Sequence, residues 1–433
     1  MLCLEYPTAE QLWSALRRPA QPSRPDVVAS VRDILAAVRT RGDRALQELT
    51  RSFDGADLDT VVLPDHAVTA AAANVPASLR KAIDLAASNI RTFHTAQQES
   101  FPPMETMPGV TCWRKSVPID RVGLYVPGGS APLFSTVLML GIPAAIAGCR
   151  DVVLCTPPSP EGAVHPAICY AAKVAGIHRV FRVGGAQAVA AMAYGTDSVP
   201  QVDKILGPGN RFVTTAKLLV QAEGVAIDMP AGPSEVMVYA DDSCIPAFVA
   251  ADLLAQAEHD ADSQTVLLTT SRPILRAVHA AVCEQVASLP RQAALAGALA
   301  HSAAICLPDR SAVLDTINRY APEHLILACD QAASLAEQVR NAGSVFLGNF
   351  SPEAAGDYAS GTNHTLPTSG FSRSFSGVSL DSFLKKITFQ EISREGLRAL
   401  GPHVVTMALA EELPAHARSV SLRLDWPGSD ANP

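Results

Sequence analysis

The chain has 433 residues, which on the usual scale of roughly 100–200 residues per domain is enough for two or three packed units. Apolar residues make up 48%, charged residues 18% and aromatic residues 5%, a composition of Ala/Val/Leu-rich globular proteins that excludes a disordered or fibrous chain. The formal charge of -8 is spread without a basic block, so neither nucleic acid nor an anionic membrane surface finds an electrostatic footprint and a small-molecule partner is expected.

In chain order, "MLCLEYPTAEQLW" lacks a basic-then-apolar signal pattern, and residues 1–24 are expected to form a helical arm. The stripe Val27, Val31, Ile34, Leu35 and Val38 predicts a helix that Gly42 stops, with Asp43 capping the next. The "RGD" at 41–43 is thereby a helix junction. A third helix is predicted over about 78–98, followed by strands and turns in "TCWRKSVPIDRVGLYVPGG". The uncharged run 131–149 approaches bilayer-spanning length, but Pro132 and Pro143 interrupt it, and it reads as a buried helix.

From there to about residue 240, strand, tight glycine turn and helix alternate: "DVVLCTPP", then "HRVFRVGGAQAVAAMAYG", then "VDKILGPGNRFVTTAKLLVQ". Such alternation implies βαβ units and a parallel sheet, whose carboxyl edge would carry both glycine turns. A second series follows, with strands in "SEVMVYAD", "SQTVLLTTS", "HSAAICLP", "HLILAC" and "AGSVFLGN" and a helix over 246–259. Residues 379–433 read as mostly helical, ending in a polar "PGSDANP" tail. The predicted fold class is α/β: two incomplete Rossmann-like parallel-sheet domains with small helical N- and C-terminal elements. Residues 25–124 plus 235–376 are expected as one discontinuous domain, 125–234 as an inserted nucleotide-contacting domain and 377–433 as a C-terminal arm.

Several stretches carry candidate chemistry. Gln256 and His259 in "LLAQAEHD" lie three residues apart on one helix face, with Cβ atoms roughly 5–6 Å apart, so they either converge on one point or line a polar face. The "GGAQA" and "GPGN" turns lack full G-x-G-x-x-G spacing. They either reverse the chain or present N–H groups to a nucleotide beside Gln187 and Asn210, with Tyr125 packing on a cofactor ring. In "RYAPEHLIL", Pro322 suits the first position of a helix, which would set Glu323 and His324 in its opening turn and favour a neutral imidazole base near His324. The alternative is a surface acid beside a packing histidine.

The polar stretch "EAAGDYASGTNHTLPTSG" holds Asp357 and His364, and "EELPAHARSV" holds Glu411 and His416 around Pro414, which is expected to start a helix. Gln256, His259, Asp357 and His416 together offer nitrogen and oxygen donors suited to Zn²⁺, although no H-E-x-x-H is present. Nine scattered cysteines without a C-x-x-C pair fit reduced thiols in the cytoplasm.

Read in series, "VGLYVPGGSAPLFSTVLML", "VGGAQAVAAMAYGT", "VDKILGPGN", "AIDMPAGPSEV", "DLLAQAEHD", "YAPEHL", "AGSVFLG" and "SPEAAGDYASGTNHTLPT" resemble the L-histidinol dehydrogenase family in order and spacing, from about residue 25 to "AHARSVSLR". The resemblance implies a zinc-dependent, four-electron oxidation of L-histidinol to L-histidine by two NAD⁺ through a bound aldehyde, in histidine biosynthesis. It implies Gln256, His259, Asp357 and His416 as ligands of one Zn²⁺ per subunit, Glu323 and His324 as the acid/base pair, and Tyr125, Gln187 and Asn210 as NAD contacts. Ser234 and Glu411 match substrate-contacting positions, with His364 and the zinc ligands completing the imidazole pocket. An obligate homodimer is implied, His416 and Glu411 reaching the neighbouring subunit's site. Two other readings are a related dehydrogenase of another polar alcohol and a non-catalytic zinc- or nucleotide-binding protein. Glu411 and His364 favour histidinol over the first, and the Glu323–His324 pair favours an enzyme over the second.

Overall fold

A computed structural model describes residues 1–19, 25–128, 132–230 and 232–428. Residues 20–24 of the expected arm, part of the turn after Tyr125 and the end of the polar tail lie outside the described residues. Two units are distinguished: residues 1–97 with 119–383, and residues 98–118 with 384–433.

The larger unit contains two six-stranded sheets. In the first, Arg179–Arg182, Asp151–Thr156, Arg121–Tyr125, Lys204–Leu206 and Ala226–Ile227 run parallel in that spatial order, and Val62–Leu63 adds antiparallel to Arg179–Arg182. Chain order therefore reverses between Arg121–Tyr125 and Lys204–Leu206, the switch point at which doubly wound sheets bind ligands. The second sheet repeats the plan: Ala303–Cys306, Gln264–Thr269, Glu235–Ala240, His324–Ala328 and Ser344–Leu347 are all parallel. Two strands of this sheet, "EVMVYA" and "QTVLLT", are buried at every position, as a sheet covered on both faces requires. The predicted pair of parallel sheets is thus present.

The boundaries differ from the sequence reading in three places. Residues 1–24 are not simply a helical arm, because Leu2–Glu5 pairs in parallel with Ala303–Cys306 at the edge of the second sheet. The helix Ala9–Ala15 follows, its start fixed by reciprocal Thr8 and Gln11 hydrogen bonds. Residues 25–97 pack chiefly on the first sheet, Val27, Val31, Leu35 and Val38 sharing a core with Val183, Val189 and Ala190, while Asn89 Nδ2 also donates to the Ala359 carbonyl at 2.8 Å. The helices are also near neighbours, Pro25–Arg41 lying on Gly185–Tyr194 and Ala77–Thr95 on Phe134–Ala147. Lastly, the C-terminal segment begins with a strand, Leu384–Ile392, which pairs antiparallel with Val110–Pro118 in the smaller unit before the helices Arg394–Ala410 and Pro414–Leu424. The pattern "KKITFQEI" alternates in a way that was masked by its charge.

Asp43 does not cap the helix Asp43–Asp54. Gly42 occupies the cap position, and the Asp43 carboxylate accepts hydrogen bonds from the Ser198 N–H and hydroxyl. The apolar run near 131–149 forms the helix Phe134–Ala147, buried on nearly all sides despite Pro143. Among the described residues no helix is long and apolar enough to cross a membrane.

Candidate active site

A cleft of about 210 Å³ lies between the carboxyl edge of the first sheet and the amino edge of the second. Its first wall is the turn after Lys204–Leu206. Gly207 has φ +131°, and a Cβ there would stand 2.1 Å from the Tyr125 carbonyl oxygen, so the two strands at the switch point approach as closely as only glycine permits. The turn is pinned at both polar groups of Gly207: its N–H donates to Asp228 Oδ2 at 2.7 Å and its carbonyl accepts from Lys217 Nζ at 2.9 Å. Lys217 and Asp228 form an ion pair almost wholly removed from solvent.

The opposite wall is built where strands begin. Parallel pairing sets Val236 against His324, so Ser234, Glu235, Glu323 and His324 meet at one edge. The sequence expectation of a helix opening at Pro322 is incorrect: His324 is the first residue of the strand His324–Ala328, and Ala321 before it takes a left-handed conformation, φ +58°. A helix-terminal field therefore cannot set the charge of His324. Its Nδ1 faces the Glu235 carbonyl at 3.3 Å, an acceptor only, so Nδ1 donates and Nε2 is left aimed at the cleft without a hydrogen-bond partner, 3.7 Å from Asp357 Oδ1. Burial opposes a charge on this ring, but the carboxylates of Glu353, Glu323 and Asp357 outweigh it and hold the imidazole well above its ordinary value.

Glu323 is equally buried. Its Oε2 accepts from the Glu235 N–H at 2.9 Å, and desolvation pushes its carboxyl up to about 8. Gly343 permits this placement, since a Cβ there would lie 2.5 Å from the Glu323 carbonyl oxygen, which accepts from the Ser344 N–H at 2.9 Å.

The helix expected over 246–259 ends at Ala257, so Gln256 lies in its last turn and His259 in the turn beyond, and both line the same cleft as Asp357, His364 and Ser234. With its NH₂ turned toward Glu353, the Gln256 amide donates to that carboxylate and accepts from the Glu235 N–H at 2.9 Å. His364 donates from Nδ1 to the Asp357 carbonyl at 2.8 Å, which leaves Nε2 to accept from the Thr136 hydroxyl at 3.1 Å. Burial lowers the basicity of both His259 and His364. Asp357 goes the other way from a buried acid: desolvation would raise it, but His324 beside it brings it below its ordinary value.

The donor chemistry fits a divalent metal. His324, Glu353 and Asp357 present ligand atoms all within 4.8 Å of one another, and Glu353 Oε2 and His324 Nε2 are buried without partners. A lowered basicity suits His259 to bind a metal, which takes the neutral imidazole. This tightest triad shares only Asp357 with the four donors expected from sequence. Glu353 was missed, although it lies four residues before Asp357 on the short helix Glu353–Tyr358 and so on the same face. Burial pushes its carboxyl up to about 8. Glu411 and His416 are exposed residues of the smaller unit, at the end of one helix and in the first turn of the next, which Pro414 starts as expected.

Two of the three positions expected to touch NAD have partners of their own, and the third is buried. Tyr125 is buried, and its hydroxyl accepts from the Gly185 N–H at 3.1 Å, so its ring is not laid open to a cofactor. Gln187 is also buried. Asn210 caps the helix Arg211–Ala222, its Oδ1 accepting from Phe212 and Val213 N–H groups at 3.0 and 3.2 Å. All three shape the glycine turns.

Comparison with known proteins bears on this cleft. The histidinol dehydrogenase family profile matches residues 16–424. A histidinol dehydrogenase of Bacteroides thetaiotaomicron is 52% identical over 98% of this chain and 99% of its own length. One from Xylella fastidiosa is 53% identical over 94% of this chain and 95% of its own. The crystal structure of histidinol dehydrogenase from Elizabethkingia anophelis superposes with a TM-score of 0.96 at 50% identity, covering 98% of each chain.

Proposed function

Because this chain belongs to the histidinol dehydrogenase family, we propose that it oxidises L-histidinol to L-histidine in two NAD-linked steps. The observation that carries the residue assignment is the buried, unpartnered Nε2 of His324, held by its Nδ1 donation to Glu235 and facing the cleft beside Glu323.

On this reading His324, in the form deprotonated at Nε2, accepts the hydroxyl proton in the first oxidation as a positioned general base does, and the carboxylates that raise its basicity favour that transfer. Protonation leaves an imidazolium among three carboxylates, which stabilise it. Glu323, anchored through Oε2 to the Glu235 N–H, has its second oxygen available to receive or return a proton as water adds to the aldehyde. Its elevated pKa suits a group that exchanges protons near neutrality. Gln256, His259 and Asp357, with His416 of the partner subunit, would hold Zn²⁺; bound there, the ion supplies a template for the substrate's nitrogens and NAD⁺ supplies the electron acceptor. Ser234, His364 and Glu411 complete the substrate contacts. NAD is assigned to the switch-point turns shaped by Tyr125, Gln187 and Asn210.

A homodimer is part of this proposal. Met407, Leu409, Leu413, Leu422 and Trp426 of the smaller unit are exposed apolar side chains, of the kind a second subunit covers. The nine cysteines are all free, which supports a cytoplasmic site of action.

The test is NADH formation from L-histidinol before and after chelation, with zinc as the rescue. Two NADH per histidinol and zinc-dependent recovery are expected, and full activity in metal-stripped protein refutes the zinc role. His324→Ala should lower turnover by about two orders of magnitude or more while zinc stays bound; loss of zinc together with activity would move His324 into the metal shell.

A further inference from the structure

Arg18 lies just beyond the helix Ala9–Ala15, far in sequence from every residue of the cleft, yet its guanidinium sits behind it. Nε and Nη2 bind the two carboxylate oxygens of Glu235 at 2.5 and 2.8 Å, a fork-to-fork pair with the Glu235 side chain almost wholly buried. Nη2 also donates to the Tyr320 carbonyl at 2.9 Å, and the guanidinium carbon stands 3.9 Å from the centre of the Tyr320 ring. The Tyr320 hydroxyl, fully buried, lies 3.2 Å from Glu235 Oε2 and 2.8 Å from Gln264 Oε1.

What this grip holds is the main chain of Glu235. Its N–H donates to Glu323 and its carbonyl accepts from His324, so one peptide position orients both members of the pair. Arg18 grips the other strand entry too, through Tyr320, directly before the left-handed Ala321 that turns the chain into Glu323 and His324. A non-glycine residue in that region is strained and persists where surrounding contacts over-determine it. Those contacts here are Arg18 on Tyr320 and the Ser372 hydroxyl donating to the Ala321 carbonyl at 2.9 Å.

We propose that Arg18 is a positioning residue for the oxidation: by clamping Glu235 and Tyr320 it fixes the two strand entries that aim Glu323 and His324 into the cleft. This rests on the reading of that pair as the acid/base residues. Tyr320 and Glu235 are the two arms of the clamp, and none of the three touches the reacting atoms.

The experiment compares wild type, Arg18→Ala and Arg18→Lys in NADH formation from L-histidinol, with KM, kcat, zinc content and far-UV circular dichroism measured on each. Misaiming a reacting group by about 1 Å costs up to about a hundredfold. Arg18→Ala should therefore lose about ten- to a hundredfold in kcat while KM for L-histidinol stays within about twofold and zinc is retained. Arg18→Lys should recover part of the loss, since an ammonium reaches one carboxylate oxygen but lacks the fork. Should Arg18→Ala fail to fold with Glu235 left charged, Arg18→Ala combined with Glu235→Gln removes the unpaired charge, and the same kcat loss is expected. Wild-type kcat in the soluble variant overturns the inference, as does a loss that follows zinc content or appears only in KM. A wild-type chain that forms no NADH from L-histidinol overturns the functional reading itself, and this inference with it.

Discussion

Replacing Lys217 by methionine tests how the glycine turn of the first sheet is held. The Lys217–Asp228 pair is almost wholly buried, and breaking such a pair costs about 3–5 kcal/mol because the remaining charge has no solvent. In Lys217→Met the Asp228 carboxylate keeps two N–H donors, Gly207 and Met229, each at 2.7 Å, so the cost belongs near the lower end, about 3 kcal/mol. Asp228→Leu strips both N–H groups of their acceptor and leaves the ammonium with the Gly207 carbonyl alone, which places it near the upper end, about 5 kcal/mol. The double variant buries no charge and strips three backbone groups of these partners, the Gly207 and Met229 N–H groups and the Gly207 carbonyl, at roughly 1 kcal/mol each. It should therefore be more stable than Asp228→Leu alone, with a coupling of at least about 2 kcal/mol. Urea unfolding at constant protein concentration reads these differences as midpoint shifts multiplied by a shared slope. Both singles should also raise KM for NAD more than they lower kcat. Single costs under about 1 kcal/mol, or costs that add to within about 0.5 kcal/mol, would refute the argument.

Gly343→Ala places a methyl group 2.5 Å from the Glu323 carbonyl and must displace that strand entry, so kcat should fall about tenfold or more with little change in zinc content; unaltered kcat would show that the entry yields without moving Glu323. Asp54, the last residue of the helix Asp43–Asp54, has its carboxyl pushed up to about 6 by desolvation, with Oδ2 buried and unpartnered. A raised acid pKa in the folded state means the folded chain binds the proton more tightly; the penalty is absent below about pH 4, grows to about pH 6 and is complete above it. Asp54→Asn should thus stabilise the protein by on the order of 1 kcal/mol above pH 6, after discounting for partial solvent screening, and by nothing near pH 4. An equal gain at both pH values in urea titrations would contradict this.

The two parallel sheets were legible because each strand is a short apolar run between glycine turns and helices, a pattern that local sequence carries. Gln256 and His259 were legible as neighbours, since a three-residue spacing is a local property, although the helix ends at Ala257 and His259 stands in the turn beyond it. His324 was misplaced because Pro322 favours a helix start locally, whereas pairing with Val236 and Ser344-bearing neighbours makes a strand of the next five residues. Tertiary pairing outweighed a one-residue preference. Glu353 carried a usable signal, its four-residue spacing to Asp357. Arg18 carried none: its partner is 217 residues away, and an arginine in a polar segment reads as solvated. The assignment of residues 25–97 failed likewise, because an apolar helix stripe announces burial without saying against which sheet.

The edge strand Leu2–Glu5 has a consequence for biosynthesis. Its pairing partner is Ala303–Cys306, so once synthesised this strand waits for about 300 further residues, on the order of 15–60 s at ordinary elongation rates of about 5–20 residues per second. Over that interval the neighbouring helix and Arg18 are also without their docking surface, and the nascent chain completes its catalytic scaffold only after translation of the second sheet. Tags or fusions placed ahead of Met1 extend a segment that is threaded home late, and their effect should fall on yield during synthesis before it falls on the finished enzyme.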